Sequence, residues 1–107
     1  MQRMFYDEMS ESVISFEEVE QLYKEAIENG FTESESFGEF FLNSQSYNNG
    51  TLTEVYKFKM IVWFEDENCK KEIVAIGSNP KNACMWYGID NDISEYPVII
   101  SSEIIDF

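Results

Sequence analysis

The sequence predicts an α+β fold in which two N-terminal helices pack on a C-terminal antiparallel sheet of about four strands, as one domain spanning residues 1–107. Three observations carry that expectation. The stretch Ser15 to Gly30 has the caps and apolar spacing of an amphipathic helix. After Asn48-Asn49-Gly50 the apolar period changes from that of a helix to that of a strand. No repeat or linker interrupts a chain of 107 residues, about the length of one ordinary domain.

Residues 1–14 mix Phe5, Tyr6, Val13 and Ile14 with Asp7, Glu8 and Glu11 without a clear period, and read as an arm or an edge strand leading into the first helix. Ser15 and Glu18 then have the spacing of a capping box. Phe16, Val19, Leu22, Tyr23, Ala26 and Ile27 form the buried stripe, and Gly30 supplies a left-handed stop. A second capping-box spacing, Thr32 to Glu35, precedes Phe37, Phe40, Phe41 and Leu42, which predicts a helix near Glu33–Asn43. Gly38 inside it lowers helix propensity by up to about 1 kcal/mol and signals close packing or a break.

In the second half, Thr53 to Phe64 is rich in β-branched and aromatic residues and alternates Tyr56, Phe58, Met60, Val62 and Phe64 with Val55, Lys57, Lys59, Ile61 and Trp63. It reads as a long strand. Glu65-Asp66-Glu67-Asn68 is a charged turn and Cys69 to Ile76 the returning strand of a hairpin. Ala83 to Ile89, containing Met85, Trp86 and Tyr87, reads as a third strand and Pro97 to Ile105 as a fourth.

Composition narrows the function classes. A hydrophobic content of 44% is too high for an intrinsically disordered chain. The first residues lack the apolar core of a signal peptide and no run of 18 apolar residues occurs, so an intracellular, cytoplasmic protein is expected. Cys69 and Cys84 form no metal or redox spacing and read as reduced, structural thiols in strands. The chain has no histidine, which removes the commonest general base, nucleophile activator and metal ligand together. Asp90-Asn91-Asp92-Ile93-Ser94-Glu95 opens like a calcium loop but lacks the sixth-position glycine and the twelfth-position glutamate. Carboxylate pairs such as Glu33 and Glu35 are unavoidable among 21 acids, and no phosphate loop or nucleophile elbow is present. The expectation is therefore no enzyme, no cofactor and no metal.

What the sequence does offer is negative charge: 21 acids against 7 bases, a net of −14. Nucleic acid and anionic membrane are disfavoured as direct ligands, and a basic protein surface is favoured. Solubility needs far less, about 2–8 charges for a small domain. Glu25 and Glu28 even oppose the dipole at the end of the first helix, by about 0.3–1 kcal/mol each. The acidic face Glu17, Glu20, Glu25 and Glu28 continues through Glu33, Glu35 and Glu39, and such carboxylates can imitate phosphates while Tyr47, Tyr56 or Tyr87 offer stacking faces. Lys57, Lys59, Lys70 and Lys71 put positive charge on the first hairpin of the sheet half, which leaves Glu17, Glu20, Glu28, Glu33, Glu35 and Glu39 as the candidate partner-binding residues.

In size, acidity, α+β pattern and lack of catalytic residues, the whole chain resembles the small mobile-element inhibitors of nucleic-acid enzymes, particularly the anti-CRISPR proteins that block Cas9. The likeness is one of type and carries no functional residue over. It implies a stoichiometric inhibitor, acting in the cytoplasm of a phage host, that occupies a basic groove meant for guide RNA or target DNA. An immunity protein or antitoxin that caps a toxin nuclease would need the same chemistry. A non-inhibitory acidic interaction domain is the third reading.

Overall fold

The computed structural model describes residues 2–107. The elements in chain order are β1 (Met4–Asp7), β2 (Ser12–Ser15), α1 (Phe16–Glu28), α2 (Phe37–Ser44), a 3₁₀ turn at Ser46–Asn48, β3 (Leu52–Phe64), β4 (Cys69–Gly77), α3 (Pro80–Asp90) and β5 (Val98–Ile105). The class is α+β with antiparallel strand pairing. The simple order of helices followed by a sheet is corrected at two places, by strands ahead of α1 and by a helix between β4 and β5. The chain divides into two compact units, Gln2–Glu54 and Val55–Phe107.

In the first unit, β1 and β2 pair in the register Phe5↔Ile14 and Asp7↔Ser12. The arm or edge strand expected at residues 1–14 is thus, over the described residues, a hairpin of two strands. Its turn contains no glycine, and Glu11 takes the left-handed conformation at φ 54° instead, so the usual turn signal is missing. Asp7 is buried at the turn, where its carboxylate accepts the Met9 N–H at 3.1 Å and the Ser10 hydroxyl at 3.0 Å. A buried acid is tolerated there because both oxygens have donors.

The caps and bounds of α1 follow the sequence, but of its expected buried stripe only Val19 is buried; Phe16, Tyr23 and Ala26 are half-buried, and Leu22 and Ile27 are exposed. Ser15 Oγ accepts the Glu18 N–H at 3.2 Å, and the helix closes with Gly30 at φ 66°. The Phe31 N–H bonds to the Ala26 carbonyl at 2.8 Å and the Gly30 N–H to that of Ile27 at 3.2 Å, the bonding of a Schellman cap. α2 starts later than expected: of two consecutive capping-box spacings, Ser36 to Glu39 prevails over Thr32 to Glu35. Thr32 instead folds locally, accepting the Ser34 N–H. Gly38 therefore stands in the first helical turn, and a Cβ there would meet only Ser36 Oγ at 3.9 Å, so neither close packing nor a break explains it.

Phe5, Ile14, Val19 and Leu52 form the core of this unit, surrounded by Phe16, Phe37, Phe40 and Phe41. The rings meet edge to face, with centroids 5.4 Å apart for Phe5–Phe41 and 5.5 Å for Phe16–Phe37. The Arg3 guanidinium lies 5.3–5.4 Å from the centroids of Phe5, Phe16 and Phe41 and holds Glu54 through two N–H bonds of 2.8 and 3.2 Å. One of the two cations in this unit is thereby committed to packing.

In the second unit, β3 is flanked by β4 and β5. The expected alternation holds from Phe58 to Phe64, whose inward residues join Ile73, Ala75, Ala83 and Cys84 in one core. A register shift between Ile61 and Val62 marks a bulge against β5. The strand expected at Ala83–Ile89 is α3, and the reason lies upstream. Asn79 caps the helix by accepting the Asn82 N–H at 2.8 Å, and Pro80 occupies the first helical turn, where its missing N–H costs nothing. Capping and burial of Ala83 and Cys84 override the β propensity of Met85, Trp86 and Tyr87. Both tryptophans, Trp63 and Trp86, belong to this unit.

Cys84 is accordingly helical rather than in a strand, and burial pushes its thiol above the ordinary range. The unfolded thiol ionises first, so the contribution of this group is present below the ordinary thiol pKa and fades as pH rises towards the raised folded value. Alkylation of Cys84 by iodoacetamide, read by mass spectrometry, should be at least about tenfold slower in the native chain than in denaturant. Equal rates would contradict its burial.

Candidate functional site

All six candidate glutamates are exposed. On α1, at 3.6 residues per turn, Glu17, Glu20 and Glu28 fall within an arc of roughly 80°. Lys24 falls inside the same arc, four residues from both Glu20 and Glu28, and its ammonium interrupts the acidic row. Glu25 departs from this face. With Glu18 it borders a groove of about 370 Å³ between α1 and the β1–β2 hairpin, lined also by Asp7, Ser10, Ser12 and Leu22. Sequence reasoning left this groove out because the hairpin that sets Asp7 opposite Glu18 and Glu25 of α1 carried no turn signal.

Glu33 and Glu35 lie in the segment leading into α2, and Glu39 is in its first turn. Glu39 has a structural task as well: its carboxylate accepts the Glu35 N–H at 3.2 Å while its own N–H bonds to Ser36 Oγ at 3.2 Å. This brings Glu35 and Glu39 together and fixes the start of α2. At the other helix end, Asn29 Nδ2 donates to the Glu25 carbonyl at 2.8 Å, and no basic side chain occupies the last turn of α1. Within the last turn, nothing basic offsets the dipole penalty of Glu25 and Glu28; Lys24, one turn earlier, is the nearest cation on the helix.

Residues 2–54 hold twelve acids and two bases, and residues 55–107 nine acids and five bases. Of the four lysines expected to make the β3–β4 hairpin positive, Lys59 and Lys71 are ion-paired. Lys59 lies 3.0 Å from Glu72 and 3.9 Å from Glu103, and Lys71 lies 2.6 Å from Glu67. The bond from Lys71, then that from Cys69, holds the Glu67 carboxyl below its ordinary value. Of the three tyrosines considered as stacking faces, Tyr47 is 74% exposed, whereas Tyr56 and Tyr87 pack against the core of the second unit.

The stretch 90–95 divides between the end of α3 and the loop after it, and Glu95 accepts the Asp66 N–H at 3.1 Å. Among the described residues, no group of three or more Cys, Asp or Glu side chains is placed to hold a metal ion, and no helix is long and apolar enough to cross a membrane. The surface can offer rows of carboxylates to a cationic partner. Comparison of the chain with protein-family models, curated proteins and solved structures finds no match.

Proposed function

We propose that this protein is a stoichiometric inhibitor that binds a basic nucleic-acid-binding protein and blocks its access to RNA or DNA, most specifically an anti-CRISPR acting on a Cas9-type nuclease. The observation that carries the reading is the exposure of Glu17, Glu20, Glu28, Glu33, Glu35 and Glu39 within a unit whose twelve acids face two bases, one of them Arg3 in its aromatic cluster. Helix positions three or four apart hold their Cβ atoms about 5–6 Å from one another, so Glu17 and Glu20 can engage neighbouring cations of one groove. Inhibition then needs one inhibitor per target and no turnover.

The test is a pull-down against a panel of basic nucleases, Cas9 and toxin nucleases included, with and without their nucleic acid. Binding should weaken steeply with ionic strength and compete with RNA or DNA. Reversal of Glu17, Glu20 and Glu28 to Lys should weaken it by well over tenfold, about 1.4 kcal/mol or more in total, while circular dichroism stays unchanged. Reversal of Glu65 and Asp92, exposed acids of the second unit, should do less. Indifference to salt, or loss of binding through the loop reversals alone, would overturn the assignment of the surface. Retention of toxin nucleases and not of Cas9 would move the reading to an immunity protein.

A further inference from the structure

Glu18, Leu22 and Glu25 occupy positions i, i+4 and i+7 of α1, on the face turned to the β1–β2 hairpin rather than on the row of Glu17, Glu20 and Glu28. Leu22 therefore lies between two acidic residues whose Cα atoms are about 10 Å apart along the helix axis. Ile14 of β2 and Asp7 of β1 line the same groove of about 370 Å³, which thus combines an apolar wall with three acids and has no basic residue in its lining.

Among the described residues none of the three acids is ion-paired, since Arg3 is held by Glu54, and Lys59 and Lys71 by acids of the second unit. Asp7 is only 7% exposed, yet the donors to it are one N–H and one hydroxyl, both neutral. Glu18 has the spacing to close the α1 cap, but only the Ser15 half of that box forms, and its own carboxylate accepts no hydrogen bond among the described residues. Nor do the acids converge: among the described residues no three are placed to hold a metal ion. A compact cation cannot meet them together. A long one with separated charges can, and the Leu22 and Ile14 side chains favour hydrocarbon in its middle.

We propose that the groove binds an aliphatic polyamine of the spermidine class, its methylene chain laid along Leu22 and Ile14 and its ammonium groups at Glu18, Glu25 and Asp7. A triamine brings one ammonium for each carboxylate, and its extended chain sets the end nitrogens about as far apart as Glu18 and Glu25. A volume near the lower end of the ~300–1,000 Å³ of small-ligand sites suits a free amine better than a protein segment, whose main chain needs room as well. The carboxylates of α1 are exposed, so binding is modest, with a Kd of about 0.1–1 mM at low salt. The site uses none of the six glutamates assigned to a basic partner, and it stands or falls apart from that reading.

Titration of the full chain at constant ionic strength, followed by two-dimensional amide NMR, tests the site with three cations of equal charge: spermidine, compact hexaamminecobalt(III) and N-acetylated trilysine amide. Spermidine should shift the amides of Ser10, Ile14, Leu22 and Glu25 saturably and bind at least about fivefold tighter than either of the others, through the methylene groups laid on Leu22. Leu22→Ser should remove its advantage over hexaamminecobalt(III). Glu18→Gln combined with Glu25→Gln should weaken spermidine about five- to tenfold while circular dichroism stays unchanged. Equal affinity for spermidine and hexaamminecobalt(III), or shifts spread over the Glu17, Glu20 and Glu28 face that persist in the double variant, would overturn the proposal as mere counter-ion attraction. Equal or tighter binding of the trilysine at the same amides would overturn it too, and give the groove to a protein partner.

Discussion

Replacing Phe5 by alanine should destabilise the first unit by about 3–5 kcal/mol, a large share of the stability of a chain this size. Phe5 is fully buried, opposite Ile14 across the hairpin, and its ring meets Phe41 edge to face at 5.4 Å and Phe16 at 6.2 Å. The deletion removes the aromatic transfer energy, leaves a void bounded by rings that cannot collapse together, and takes away one of three faces that hold the Arg3 guanidinium. Urea denaturation of the full chain, followed by far-ultraviolet circular dichroism, is the measurement. A loss under 1 kcal/mol would mean that the cluster repacks freely.

The second large effect is expected at Gly77, from addition rather than removal of a methyl group. A Cβ at this last residue of β4 would stand 2.5 Å from the Ala83 nitrogen and 2.6 Å from its Cα, both backbone atoms of α3. Neither can rotate away, so Gly77→Ala has to push the helix off the sheet. The expected cost is about 1–3 kcal/mol or more, with Cys84, next to Ala83, becoming accessible to alkylation. Gly38→Ala is the matched control. The added methyl group meets only Ser36 Oγ at 3.9 Å, and its better helix propensity should leave stability unchanged or raise it by up to about 1 kcal/mol. If both variants behaved alike, close approach of α3 to β4 would not be the reason for a glycine at 77.

Those two sites also mark where the sequence could and could not be read. α1 and the β3–β4 hairpin were legible because cap, period and stop agree at every level, from Ser15 to Gly30 and along Phe58 to Phe64. α3 was not, because Met85-Trp86-Tyr87 has strand propensity while the decision is made by Asn79-Pro80 and by burial of two small residues. The β1–β2 hairpin was hidden by a turn that uses Glu11 where glycine is usual. For the acidic surface, the helix period was enough to place Glu17, Glu20 and Glu28 outside. It did not reveal that Glu39 closes the cap of α2, since that depends on which of two consecutive capping boxes prevails. Nor did it separate Tyr47, left in solvent, from Tyr56 and Tyr87, which depend on the path of the sheet.

The placement of Trp63 and Trp86 after Glu54 has an optical consequence. Indole emission reports on β3, α3 and their surroundings, while the aromatic cluster around Phe5 holds no indole. If the two cores open separately, a fluorescence melt follows the second and is blind to the Phe5 cluster, so the Phe5→Ala variant would pass as stable by that probe alone. Backbone-based signals, or an indole introduced in place of Phe40 at the margin of the first core, give that half of the chain a signal of its own.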